Sequence, residues 1–176
     1  ITLGQAPGTV DEIVRIADGA PVALEKAALD NMARVSSRIQ RAIEQGQTIY
    51  GLTTGVGDLV TTRLSPDRMT DTQLNMLRSH ACGVGPDLTV REVRAMMAVT
   101  LKSLLQGYSG VTPALAQRIA DMLNRQVTPW SPAGGSVGYL IATAHIGLAV
   151  FGEGKCWYQG ELLPAQQALT RAGIPP

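Results

Sequence analysis

The 176-residue chain is 45% apolar and 16% charged, with a formal net charge of +1, the balance of a globular protein long enough to bury a core. Its two Trp, four Tyr and one Phe, with acidic and basic side chains interspersed in near-equal number, exclude the stacking platform and basic footprint of a nucleic-acid binder or of a protein held on anionic lipid. Cys82 and Cys156 stand far apart without CxxC or metal-ligand spacing, so neither a disulfide framework nor a zinc site is implied and a reducing cytoplasm fits.

In chain order, Asp11 is expected to cap a short helix that runs to about Asp18 and stops at Gly19. Pro21 is expected to open a longer helix ending at Gly46, because Leu24, Ala28, Met32, Val35, Ile39 and Ala42 recur at steps of three and four. The stretch from Thr48 to Asp58 has neither a helical nor a clean strand period and reads as a loop. It is no phosphate cradle, since no Gly-Lys-Ser/Thr follows and the third glycine of a dinucleotide fingerprint is missing.

From Thr70, expected as an N-cap, a helix carries Leu74, Leu77 and Arg78 toward Ser79-His80 and breaks at Gly83-Val84-Gly85-Pro86. Thr89 starts the next, whose apolar residues Val93, Met96, Met97, Val99, Leu101, Leu104 and Leu105 cover more than one face and require protein around them. Pro113 suits a first helical position, and Leu115, Ile119, Met122 and Leu123 form the stripe that follows. Pro129 and Pro132 then deliver the chain to Gly134-Gly135-Ser136-Val137-Gly138.

That glycine-rich bend feeds a helix from Tyr139 to Phe151 that is apolar on nearly every face and too short to span a bilayer. Glycines let the backbone turn tightly, Ser136 can cap, and the buried N–H groups of such a helix start need an electron-rich partner. His145, inside this helix, reads as a satisfied core histidine. Cys156 to Leu163 reads as a small hairpin turning at Gln159-Gly160, and Pro164 begins a last short helix. The chain starts at Ile1 and stops at Ile174-Pro175-Pro176 just after a helical pattern, so the expectation is a piece of a longer protein.

Three stretches in this order, Tyr50-Gly51-Leu52-Thr53-Thr54-Gly55-Val56-Gly57, Arg78-Ser79-His80-Ala81-Cys82-Gly83-Val84-Gly85 and Gly135-Ser136-Val137-Gly138, closely resemble the aromatic amino-acid ammonia-lyases and aminomutases, histidine ammonia-lyase nearest among them. The likeness continues through Leu104 to Gly110 and Gly152-Glu153-Gly154. It implies a mainly α chain, residues 1–176 being the N-terminal part of an L-aspartase/fumarase-like helical fold with one small β-hairpin, the portion that bears the catalytic loop and the prosthetic group. It also implies a cytoplasmic homotetramer acting on a small aromatic amino acid, with the remainder of its own chain as partner and no metal, nucleotide, nucleic acid or membrane.

In that family the Gly-Ser-Val-Gly motif precedes Ala-Ser-Gly, which cyclises to 4-methylideneimidazole-5-one, an electrophile. Here Gly138 is followed directly by Tyr139, yet Ala144-His145-Ile146 realigns with the family if three residues are absent at that junction. The ring is therefore expected between Gly138 and Tyr139, with Ser136 and Gly138 supporting it. The family usually has Asp after the tripeptide, where this chain has Tyr139.

By the same resemblance Tyr50 is the base, and Gly57, Ser79 and His80 bind substrate, His80 facing its aromatic ring. A phenol of ordinary pKa, about 10, is mostly protonated at neutral pH, so the site must favour the phenolate through nearby positive dipoles or charges. The glycines after Tyr50 suit lid hinges. Three alternatives stay open at this point: a tyrosine or phenylalanine 2,3-aminomutase, a homologue without the ring that eliminates trimethylamine, and a non-enzymatic helical assembly domain.

Overall fold

The computed structural model describes residues 1–135 and 140–175. Among them are seven α-helices: α1 (Val10–Ala17), α2 (Lys26–Glu44), α3 (Pro66–His80), α4 (Val90–Leu104), α5 (Pro113–Asn124), α6 (Leu140–Val150) and α7 (Ala165–Arg171). Strands β1 (Thr2–Leu3) and β2 (Ala23–Leu24) pair in parallel. Strand β3 (Val84–Asp87) pairs antiparallel with β5 (Pro132–Gly134). The third sheet is antiparallel, in the order β4 (Thr128–Pro129), β6 (Lys155–Tyr158), β7 (Glu161–Pro164). The mainly α architecture and the hairpin are as expected, with Gln159 and Gly160 at φ +51° and +81° making its turn. The other two sheets are additional.

Three helix starts differ from expectation, each because a neighbour competes better for the end. Thr9, not Asp11, caps α1: its hydroxyl accepts from Glu12 N at 3.2 Å while the Glu12 carboxylate accepts from Thr9 N at 2.8 Å. Pro21 does not open α2, because the next residues extend to pair with β1. Asn124 holds them there, accepting from Val22 N at 2.7 Å and donating to Val22 O at 2.8 Å. Thr70 lies inside α3, which begins one turn earlier at Ser65-Pro66, where proline takes a position whose N–H has no helical partner. The expected cap at Thr89 and start at Pro113 are both present. The helix ends before residues 83–86 as expected, and Val84–Asp87 there form strand β3.

Helix α4 runs through the core. Val93, Met97, Ala98 and Leu101 are buried along it, against Ile16 of α1, Met32 of α2, Ile119 and Leu123 of α5 and Ile146 of α6. Each large side chain so buried stabilises the fold by roughly 1.5–3 kcal/mol before chain entropy is counted. Helix α6 is likewise buried on most sides, with Ile141, Ala142, Ala144, Ile146, Leu148, Ala149 and Val150 all inside. Val35, Ile39 and Ala42, expected on the apolar stripe of α2, are only half buried.

Arg94 is the exception in this core. It is 4% exposed and donates from Nε to Ala17 O at 3.2 Å, from Nη2 to Ile16 O at 2.8 Å and from Nη1 to Leu123 O at 3.0 Å. Its charge thus sits at the C-terminal ends of α1 and α5, where helix dipoles are negative. Burial lowers its pKa from the ordinary arginine value. Among the described residues it has no carboxylate partner.

Helices α3 and α6 cross with little between them. A Cβ on Gly147 would stand 2.8 Å from Leu77 Cδ2. Just beyond α3, a Cβ on Gly83 would stand 2.3 Å from Pro132 Cγ and 2.7 Å from Ile141 Cγ2. Glycine is needed at Gly83, where the ring of Pro132 cannot move aside, and at Gly147 it spares Leu77 a shift; the close approach brings the Arg78–Gly85 segment against the entry to α6.

Candidate active site

The loop from Thr48 to Leu64 is stapled by its own threonines. Thr53 and Thr54 are buried; Thr53 Oγ1 accepts from Ile49 N at 2.7 Å and donates to Gln47 O at 3.1 Å. Thr54 Oγ1 donates to Gly55 O at 2.9 Å, and Gly55 N and Leu64 N close the far side of the loop onto Thr62 O and Thr53 O. A segment without secondary-structure period is thereby given one shape, and that shape presents Tyr50.

The Tyr50 side chain is 63% exposed, and its Oη accepts a hydrogen bond from Gly57 N at 3.0 Å. Gly57 opens a 3₁₀ turn, Gly57–Leu59, with φ at +57°, a conformation an L side chain resists. Its N–H is therefore one that the turn leaves for another acceptor, and it points at the phenol oxygen. The loop is tied to α3 through Gln73, whose Nε2 donates to Gly51 O at 2.6 Å. Gln73 had no distinguishing pattern in the sequence, being one polar residue on a helix.

At the end of α3 the His80 Nδ1 lies 2.8 Å from Met76 O and 3.0 Å from Ser79 Oγ. A carbonyl only accepts, so Nδ1 carries the proton of the neutral ring and Nε2 is left as an acceptor. Ser79 Oγ donates to Met76 O at 2.9 Å, so its hydroxyl serves the orientation of His80. The structure thus joins Tyr50 with Gly57, and Ser79 with His80, and links the two pairs through Gln73. Ser136, Gly138 and Tyr139 lie outside the described residues.

His145 is not the satisfied core histidine expected. Its ring meets Trp130 edge-on, centroids 5.5 Å apart, while Nε2 is buried without a hydrogen-bond partner among the described residues. Burial lowers its pKa below the ordinary imidazole value. Burial also pushes the Cys156 thiol up to about 12, so this cysteine is an inert core residue, whereas Cys82 is exposed. Among the described residues no cluster suited to a metal ion occurs, and no helix is long and apolar enough to cross a membrane.

The expected methylidene-imidazolone ring falls on the junction of Gly138 and Tyr139, outside the described residues. Its atoms come from an Ala-Ser-Gly tripeptide, which the written sequence does not contain. On the described side of that junction, Gly135 packs so closely that a Cβ there would lie 2.0 Å from Ile141 Cδ1.

The helical fold that carries this loop and this helix end is shared with solved ammonia-lyase and aminomutase structures. The tyrosine aminomutase of Streptomyces globisporus superposes with a TM-score of 0.94 at 31% identity, over 100% of this chain and 34% of that one. The ergothioneine-degrading enzyme ergothionase of Treponema denticola gives 0.95 at 27% identity, over 100% and 36%. The chain belongs to the aromatic amino acid lyase family, which residues 9–176 match. Histidine ammonia-lyase of Geobacillus thermodenitrificans is 40% identical over 172 residues, 96% of this chain and 34% of the relative. The chain spans about a third of the length of such relatives.

Proposed function

We propose that the chain is the N-terminal portion of an aromatic amino-acid ammonia-lyase, a carbon–nitrogen lyase acting by β-elimination. The observation that carries this is the hydrogen bond from Gly57 N to Tyr50 Oη. A phenolate at Tyr50 takes the β-proton; the electron pair of that C–H bond becomes the new double bond, and the C–N bond breaks with its electrons leaving on nitrogen. The expected products are the amine and an aryl acrylate, while Tyr50 holds the proton. The 40% identical histidine ammonia-lyase supports an aromatic amino-acid substrate, histidine among the candidates.

His80 supplies recognition in this reading. Its Nε2, left as an acceptor, suits a substrate ring that carries a donor, the phenol of tyrosine or the N–H of an imidazole. Replacing His80 by Leu in the complete enzyme should therefore shift preference toward phenylalanine, lowering kcat/KM for histidine and tyrosine on the order of 10- to 10²-fold. Assays on the three amino acids check this, and equal slowing of all three would make His80 only a helix cap. Following β-amino acid formation in the same assays separates lyase from aminomutase, the activity named for the 31% identical Streptomyces protein. The homotetramer and the cytoplasmic location belong to the same proposal.

Which amine leaves turns on the junction of Gly138 and Tyr139. Ammonia is a poor leaving group and needs an electrophile to load the nitrogen, the chemistry a methylidene-imidazolone supplies where it is present. An amine already quaternary, such as trimethylammonium, departs neutral without one. Membership of the aromatic lyase family supports the ring; the absence of Ala-Ser-Gly from the written sequence keeps the second reading open. Mass spectrometry of the peptide spanning Gly135 to Ile141 decides between them. An excess equal to Ala-Ser-Gly less two waters establishes the ring and keeps ammonia as the leaving group; the mass of the written sequence removes the ring and makes elimination of a quaternary amine the reading to assay.

A further inference from the structure

We propose that Arg78 and Glu153 form a latch that positions His80, fixing the last turn of α3 to the chain leaving α6; the inference rests on the lyase reading of the site. The two residues are 75 apart in sequence and meet fork to fork, Nε donating to Oε2 at 2.9 Å and Nη2 to Oε1 at 2.5 Å. Nη1 of the same guanidinium donates to Asn75 Oδ1 at 3.0 Å, so one planar group also braces the preceding turn of α3. Arg78 stands two residues before His80 on that turn.

The other half of the latch is equally fixed. Glu153 N donates to Leu148 O at 2.9 Å and Gly152 N to Ala149 O at 3.0 Å, closing the C-terminal end of α6. Gly152 and Gly154, at φ +84° and +73°, make that turn, which aims the carboxylate back at α3. The Leu77–Gly147 approach is a second point of attachment on the same turn. Two attachments fix a helix end in position; the bidentate pair adds its rotation, because a guanidinium and a carboxylate that share two bonds must be coplanar.

Energetics separate this role from a stabilising one. The Arg78 and Glu153 side chains are 49% and 35% exposed, and ion pairs of that exposure add little to stability. The guanidinium nevertheless holds the Glu153 carboxyl below the usual carboxylate range, and Glu153 with Asp71 raises the Arg78 pKa. Misplacing a recognition group by about 1 Å, by contrast, lowers rates by as much as about 10². Loss of the latch should therefore leave the protein folded while changing which substrate it prefers.

In the complete enzyme, Glu153→Gln and Arg78→Lys should each cut kcat/KM on ring-donor substrates about tenfold while phenylalanine changes less than about threefold. Lysine keeps the charge but not the fork, so it should fail to rescue, and the reciprocal double variant R78E with E153R should recover part of the discrimination. Folded variants with an unchanged preference, or a lysine variant equal to wild type, would overturn the latch. Hydrogen exchange of the peptide covering residues 74–82 reads the latch without turnover and should speed up in E153Q. Unchanged exchange there overturns the latch; faster exchange in an enzyme that eliminates none of the amines tested keeps it and sinks the lyase reading.

Discussion

Tyr50→Phe in the complete enzyme should lower kcat by a factor on the order of 10² or more while substrate binding survives. The substitution removes one oxygen and leaves the ring in place. Gly57 N loses its acceptor, but Tyr50 is 63% exposed, so water takes over that bond and the loop keeps its shape. The staples of the loop are Thr53 and Thr54, whose bonds do not involve the phenol. A fall in kcat therefore reports lost proton transfer. Near-normal turnover in Tyr50→Phe would remove Tyr50 from the chemistry altogether.

Arg94→Leu should destabilise the complete protein by about 2–4 kcal/mol, seen as a lower urea midpoint. The guanidinium joins three carbonyls at two helix ends, and leucine offers them no donor. Two of the three have a second donor: Gly19 N for Ile16 O and Gln126 N for Leu123 O. Ala17 O is therefore the acceptor most exposed to the loss, which keeps the expected effect below three full desolvation penalties. Relief of the buried charge offsets part of it. Arg94→Lys should fall between the two, since an ammonium keeps the charge near the helix ends but cannot reach three carbonyls in one plane. A midpoint unchanged within error would mean that the cation is not what closes α1 and α5.

Local chemistry was legible in the sequence wherever the deciding groups are neighbours. Thr89 and Glu92 form a capping box three residues apart, Pro113 opens α5, and Gln159-Gly160 turns the hairpin. The same signature, Thr9 followed by Glu12, stood two residues before Asp11 and decides the start of α1. Arg94 also left a trace, lying in step with Met97, Ala98 and Leu101 on the apolar stripe of α4. A charged residue on a buried stripe signals a partner, but the partners are backbone carbonyls of two other helices, and no side-chain pattern encodes those.

The order and content of three motifs in the sequence by themselves determined the family, the mainly α class and the candidate residues Tyr50, Ser79 and His80, because spacing within a motif is a covalent property of the chain. Tertiary structure alone decided how those residues are placed. The pairing of Val84 with Gly134, the bond from Gln73 to Gly51, the Nδ1 proton of His80 and the meeting of Arg78 with Glu153 all depend on which segments fold against one another. Such contacts arise from burial of apolar faces, which is non-directional and leaves no local mark at the polar residues it brings together.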